Sequence, residues 1–311
     1  MAAFLVPLFL KPARFVGATL WTLVFLFAPP GVFAAPNSPF IAALGGVYDG
    51  PGNAVGPEVF QSSTSGTLQP EVGALPTTYG KFRSAFGSSG FTIQVTGGLN
   101  REVDGGSIWS DGFAISGGTG NGVLQLSTHI EGSMSGNGDM FYALFVSAQP
   151  FDLQSVIETT SANHQGFWAL QLPNATRVLF TGVANGCGAS PATRECGHVP
   201  FQDYEGSLNL LLTTSTAFTF GQTLYAISVF GGGVHISGGN RNFLNSADFG
   251  ITAPTGTTMQ SISGVQYASA VPEPASWWLL VAGLVCGVAR RAMNLKHKAS
   301  TAFGLGRPCR A

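Results

Sequence analysis

The residues of this chain best suited to chemistry are few and scattered. Cys187 and Cys196 flank the stretch Cys-Gly-Ala-Ser-Pro-Ala-Thr-Arg-Glu-Cys. In an exported protein such a pair oxidises, and closing the loop stabilises by roughly 2–3 kcal/mol in the chain-entropy account. A metal site on Cys187, Cys196 and His198 is the sharper alternative, but it lacks a fourth ligand and the usual zinc spacing. Asp104, Asp111, Glu131 and Asp139 stand beside glycines, where carboxylate oxygens would suit calcium. The run Asp104-Gly-Gly-Ser-Ile-Trp-Ser-Asp111 lacks the alternating Asp pattern of a calcium loop, and turn-forming Asp is the plainer explanation. No resident cofactor is expected, with calcium the one ion these residues would accept. Among Trp109, Phe113, Trp168 and Tyr204, aromatic rings that stack on sugars elsewhere, Trp109 beside Asp111 is the expected carbohydrate contact. Trp168 alternates into the core instead.

The histidines, His129, His164, His198, His235 and His297, pair with no recognisable nucleophile motif. The chain has no Gly-x-Ser-x-Gly elbow, no His-Glu-x-x-His, no phosphate loop and no dinucleotide fingerprint. A triad can assemble from distant residues, so an enzyme stays a minor reading, and the expectation is that the chain is not one.

The elements that would position these residues are strands. In Phe91-Thr-Ile-Gln-Val-Thr96 and in Leu124 to Glu131, apolar and polar residues alternate with period two. Met140 to Val146, Phe167 to Leu172, Arg177 to Gly182, Ser207 to Thr213 and Thr223 to Phe230 also read as strands. Glycine-rich breaks separate them, at 117–122, 136–138, 231–233 and 238–240. Short strands with turns between them predict an all-β body of the β-sandwich or jelly-roll type. No soluble amphipathic helix stands out, and residues 45–76, rich in Gly, Pro and Ser, read as an irregular region. Within residues 221–252, Tyr225 is expected to pack and Asp248 to cap a turn.

Composition narrows the class. The 311 residues include 43 glycines, and only 9% are charged while 45% are hydrophobic, which excludes a disordered chain. The net charge is −1 but unevenly spread: residues 36–270 carry 14 acidic and 6 basic side chains, a balance of −8, and the basic residues gather at the two ends. An acidic body is a poor partner for nucleic acid.

Both ends read as membrane-directed. Lys11 and Arg14 precede an apolar run from Phe15 to Ala28, then Pro29, Pro30, Gly31 and Val32-Phe33-Ala34. That order is a secretory signal peptide, residues 1–34, with cleavage between Ala34 and Ala35 by signal peptidase after passage through the Sec translocon. Residues 35–270 are then the exported body, of a size that suits one all-β domain. At the other end, Val271-Pro272-Glu273-Pro274 leads into an uncharged run from Ala275 to Ala289, opened by Trp277 and Trp278 and closed by Arg290-Arg291. The run is shorter than the roughly 20 residues that cross a bilayer comfortably. Indoles favour the membrane boundary and the arginines the cytoplasmic side.

This order of three features, residues 271–291, resembles the PEP-CTERM sorting signal of exopolysaccharide-producing Gram-negative bacteria. The matching positions are Val271, Pro272, Glu273, Pro274, Leu279, Leu280, Gly283, Leu284, Arg290 and Arg291. The family ends just after the arginines, whereas this chain continues as a basic tail, residues 292–311. The resemblance implies a single transmembrane sorting helix and processing by the membrane enzyme exosortase. It also implies an inner-membrane intermediate followed by the cell surface or extracellular matrix. The resemblance names a destination and not an activity; the acidic, low-charge β body with its two targeting ends points to a structural or interaction component of the extracellular polysaccharide matrix. A lectin-like carbohydrate-binding protein and a surface polysaccharide hydrolase or lyase are the alternatives.

Overall fold

The computed structural model describes residues 38–49, 53–54, 58–97, 101–162, 171–185 and 202–268. Its backbone is set by two strands far longer than the sequence pattern suggests. β9 runs over Asn121–Ser147 and β13 over Thr223–Thr252. Around them stand β1 (Phe40–Asp49), β2 (Asn53–Ala54), β3 (Val59–Ser63), β4 (Thr67–Leu68), β5 (Glu71–Ala74), β6 (Thr78–Ala85), β7 (Ser88–Val95) and β8 (Arg101–Ser116). β10 (Thr176–Asn185), β11 (Gln202–Asp203), β12 (Gly206–Thr219) and β14 (Thr258–Ser261) complete the strands, and among the described residues there is one helix, α1 (Leu153–Ala162).

All strands belong to one 14-stranded sheet. The first part of β13, Thr223 to Val234, lies between β8 and the last part of β9. Its later part, Gly239 to Thr252, lies between β7 and the first part of β9. β9 divides in the same way: Asn121 to Met134 pairs with β12, Gly138 to Val146 with β10. Both strands bend at glycines, Gly136 and Gly138 in β9 and Gly238 in β13, whose φ of 68°, 146° and 83° disfavour any other residue. The sheet therefore folds over on itself and nearly closes, with the core inside.

Side chains show the two layers facing each other. The Trp109 ring of β8 lies 4.9 Å from Phe249 of β13, and Phe91 of β7 packs 5.0 Å from Phe230 and 5.5 Å from Phe243. Tyr142 and Thr128, from the two parts of β9, share a hydrogen bond of 2.7 Å inside the core. A second apolar cluster covers the outer face of one layer, where Ile108, Phe141, Phe145, Ile227 and Val229 meet Phe151, Leu153, Val156 and Ile157. That explains why Met140 to Val146 is apolar without alternation: both of its faces are buried.

Four expectations are corrected. The helix α1 exists: the Asp152 carboxylate accepts from the Ser155 amide at 2.8 Å, an N-cap, and Leu153, Val156 and Ile157 face the second cluster at helical spacing. Its β-branched residues had masked it. Residues 45–76 are not irregular throughout; among their described residues they supply the end of β1 and all of β2 to β5. The glycines at 136–138, 231–233 and 238–240 interrupt no strand. Glycine is needed where layers press together, as at Gly45 and Gly105, where a methyl group would lie 2.0 and 2.1 Å from the Phe82 ring. Asp248 caps no turn: it lies within β13 and accepts a hydrogen bond from Ser88 at 2.8 Å.

Among the described residues no helix is long and apolar enough to cross a membrane. The chain divides into two units, Met1–Ala270 and Val271–Ala311, and every described residue belongs to the first.

Candidate functional site

The densest polar constellation is built on Asp111, in the middle of β8 and wholly buried. β14 pairs with the end of β8, and the Ile262 amide extends that pairing to the Gly112 carbonyl at 2.8 Å. The chain then turns through Ser263 and Gly264 and comes back over Trp109. Asp111 Oδ1 accepts the amides of Gly112 at 2.8 Å and Ser263 at 3.0 Å. Its Oδ2 accepts the Ser263 hydroxyl and, at 2.7 Å, the Tyr267 hydroxyl. Burial, and then the Asp111 charge, push the Tyr267 phenol well above its ordinary range. A carboxylate with four donors is well satisfied, and such charge-assisted bonds are the strong kind. Ser263 donates directly to the carboxylate with no imidazole between them, so the trio holds a segment in place and does not activate a nucleophile. Beyond Tyr267, the Ala268 carbonyl accepts from the Ile251 amide at 2.9 Å.

This geometry overturns the carbohydrate contact expected at Trp109 and Asp111. Trp109 has no exposed surface; Phe249 at 4.9 Å and Tyr267 at 5.9 Å enclose its ring. A sugar cannot reach a ring that the segment 262–268 covers. Phe113 is equally buried, while Tyr204 is half-buried and donates to the Ser207 carbonyl.

The calcium reading also meets a correction: Asp104 to Asp111 is no loop but the centre of β8. Asp104 lies opposite Gly46 on one side and Gly233 on the other. Burial, then Glu102 and Asp139, hold its carboxyl well above the usual range, which favours the neutral acid. Asp111 is occupied by the closing segment, Glu131 is exposed on the first part of β9, and Asp139 accepts the Gly233 amide at 3.0 Å. The four do not converge, and among the described residues no three His, Cys, Asp or Glu side chains form a group that could hold a metal ion.

Two arrangements escaped sequence reasoning. Arg241 is fully buried at the bend of β13; its Nη1 donates to the carbonyls of Ser135 at 2.7 Å and Asn240 at 2.8 Å, its Nη2 to Gly136 at 3.2 Å. Across the outer face, Arg83 donates to Ser88 at 2.7 Å and Ser88 to Asp248 at 2.8 Å. His129, opposite Asp248, lies 3.0 Å from the Asn209 amide oxygen. The first arrangement joins two strands, β9 and β13, and the second five, β6, β7, β9, β12 and β13, so no local spacing announces them. The one signal available was Arg241 itself, a lone charge in a stretch otherwise of Gly, Asn and Phe.

The remaining expected site residues, Ala34 and Ala35, Cys187 and Cys196, and Val271, Pro272, Glu273, Pro274, Arg290 and Arg291, lie outside the described residues.

No known protein family's profile matches the chain, and no curated protein does. Among solved structures, the chain is similar to the enzymatically active domain of tailspike protein 4 from bacteriophage CBA120. The likeness has a TM-score of 0.23 and 9% identity, over 61% of this chain and 20% of that one. It is too slight to inform fold or function.

Proposed function

We propose that this chain is an exported surface protein whose residues 271–291 form a PEP-CTERM sorting signal. Residues 35–270 are then a sandwich-like all-β body, a structural or interaction component of an extracellular polysaccharide matrix. The observation that carries the reading is the order Val271-Pro272-Glu273-Pro274, apolar run, Arg290-Arg291. The fold adds support: the first unit ends at Ala270, one residue before the motif. The Asp111 network ties down the last described segment of the body, ahead of that boundary.

The working order is passage through the Sec translocon, removal of the leader between Ala34 and Ala35, arrest in the inner membrane and cleavage by exosortase. The acidic, low-charge body then meets extracellular polysaccharide and not nucleic acid. Its role is structural rather than catalytic, and the carbohydrate contact once expected at Trp109 forms no part of it.

Mass spectrometry of the surface form tests this directly. The expected product begins near Ala35 and lacks the segment from Trp277 to Arg291. Replacing Pro272-Glu273-Pro274 with alanines should trap the protein in the inner membrane. Unchanged maturation and location in that variant would end the sorting reading.

A further inference from the structure

Charge is not spread evenly through the body. Residues 112–128, 206–234 and 249–268 contain no Asp, Glu, Lys, Arg or His, in a body whose balance is −8. All three stretches contribute to one end of the fold. β9 and β13 double back at their bends, so the turns 117–120, 220–222 and 253–257 meet there. The Phe220 amide donates to the Gly120 carbonyl at 2.9 Å, and the Gly221 amide to the Ile115 carbonyl at 3.4 Å. A methyl group on Gly117 would lie 3.1 Å from the Gly256 carbonyl oxygen. The opposite end is charged: β1 and β8 pair Asp49 with Arg101 there, and Glu102, Asp104, Asp139 and Arg241 stand near the bends.

The uncharged end also shows apolar side chains. Val123 is 51% exposed, and Phe220, Leu224 and Met259 are only partly buried. Single exposed apolar residues are ordinary; the absence of every charge around them is not. The described chain also runs out toward this end. Ala268 forms a parallel bridge with Gly250 and accepts from the Ile251 amide at 2.9 Å, so at that point it runs with β13 toward Thr252. Trp277, which the sorting reading sets at the membrane boundary, is nine residues on. Fully extended, that stretch spans about 30 Å.

We propose that the end formed by the turns 117–120, 220–222 and 253–257 rests on the lipid surface while the chain is anchored. A bilayer is favoured over a second copy because the anchor keeps it within reach, at an effective concentration that lets a weak contact suffice. Anionic headgroups repel carboxylates, and this end presents none. Val123 and Phe220 then enter the headgroup boundary, as the apolar side chains of surface-bound elements do. The acidic end points away from the lipid. The proposal rests on the reading of residues 271–291 as membrane-directed.

The test reconstitutes the full chain in phosphatidylcholine–phosphatidylglycerol vesicles. Single fluorophores are read against one quencher in water and another in the shallow part of the bilayer. They are attached through Thr119→Cys at the uncharged end, Ser135→Cys at the bend and Ala282→Cys in the apolar run, each measured above the labelling of the parent chain. Circular dichroism confirms folding of each variant. Lipid quenching at position 119 should exceed that at 135 by roughly threefold or more. Adding Val123→Glu and Thr255→Glu should abolish the difference. Equal quenching at 119 and 135, with 282 quenched, overturns the proposal and leaves the anchor standing. A label at 119 shielded from water but not quenched by lipid also overturns it, since a protein surface then covers that end. If 282 is not quenched, the anchor reading fails. Quenching at 119 would then sustain the lipid contact by itself, and its absence would end both.

Discussion

Arg241 of β13 donates from Nη1 to the main-chain carbonyl of Ser135 in β9 at 2.7 Å, at the place where both strands pass from one layer of the fold to the other. A second carbonyl, that of Gly136, accepts from Nη2 at 3.2 Å. Burial lowers the guanidinium from its ordinary value to about 10, against the pull of Asp139 and Glu205. It is still charged at neutral pH, so the bend is held by a buried cation that the backbone itself solvates.

Removing that cation should therefore be costly. Arg241→Ala leaves two carbonyls of another segment without their donor, at about 1–3 kcal/mol each. Arg241→Lys should recover little, since one ammonium cannot reproduce the fork. Urea midpoints would measure both, and a loss below about 0.5 kcal/mol in Arg241→Ala would show the bend to be held by its glycines alone.

The Asp111 network makes a graded prediction. Tyr267→Phe removes one donor from a carboxylate that keeps three, and should cost about 1 kcal/mol. Asp111→Ala strands all its buried partners and should cost about 3 kcal/mol or more. Because the partners share one acceptor, the double variant should cost clearly less than the sum. Limited proteolysis should show cleavage within 258–268 first, before the rest of the body opens.

Trp109 distinguishes core from surface. Trp109→Ala should destabilise by about 3–5 kcal/mol, as truncations of large buried aromatics do. Any loss of polysaccharide binding should follow the unfolded fraction and disappear where the variant is folded. A folded Trp109→Ala protein of normal stability that no longer binds glycan would restore the carbohydrate contact that burial argues against.

Asp104 should make stability depend on pH in an unusual sense. Its folded-state value lies above the ordinary 3.8, so the folded protein holds this proton more tightly than the unfolded chain. Its contribution is fully present below the ordinary value and is lost as pH rises through the folded one. Asp104→Asn keeps the shape without the charge. Near pH 4 and below its melting temperature should match that of the parent chain, and the variant should gain several degrees by about pH 7. Glu102, Asp139 and Tyr48 face the same region, so the comparison must be made against the parent at each pH. Equal melting temperatures across the range would mean that Asp104 ionises freely.

The strands were legible where one face meets water and the other the core. Phe91 to Val95 and Leu124 to Glu131 alternate because their layer is covered on one side only. What misled was glycine. In Gly231-Gly232-Gly233 it reads as a turn, yet the carbonyls of Gly105 and Asp139 and the Asp104 carboxylate press against the strand there and leave no room for a Cβ. The same ambiguity hid β9 and β13 as single strands. Trp109 and Asp111 read as a surface pair from an aromatic ring standing beside an acid. Only the return of residues 262–268 over them, from about 150 positions away, reveals them as interior. Asp248, Ser88 and Arg83 were illegible for the same reason: their association exists only once β6, β7 and β13 are side by side.

Because β9 and β13 each run through both layers, neither layer has a seam along which it could come away from the other. Heat should meet such a body as one calorimetric event, with matching van't Hoff and measured enthalpies. A load applied along either strand is handed across the bend from one layer to the next, the way a shared thread keeps two pieces of cloth from separating.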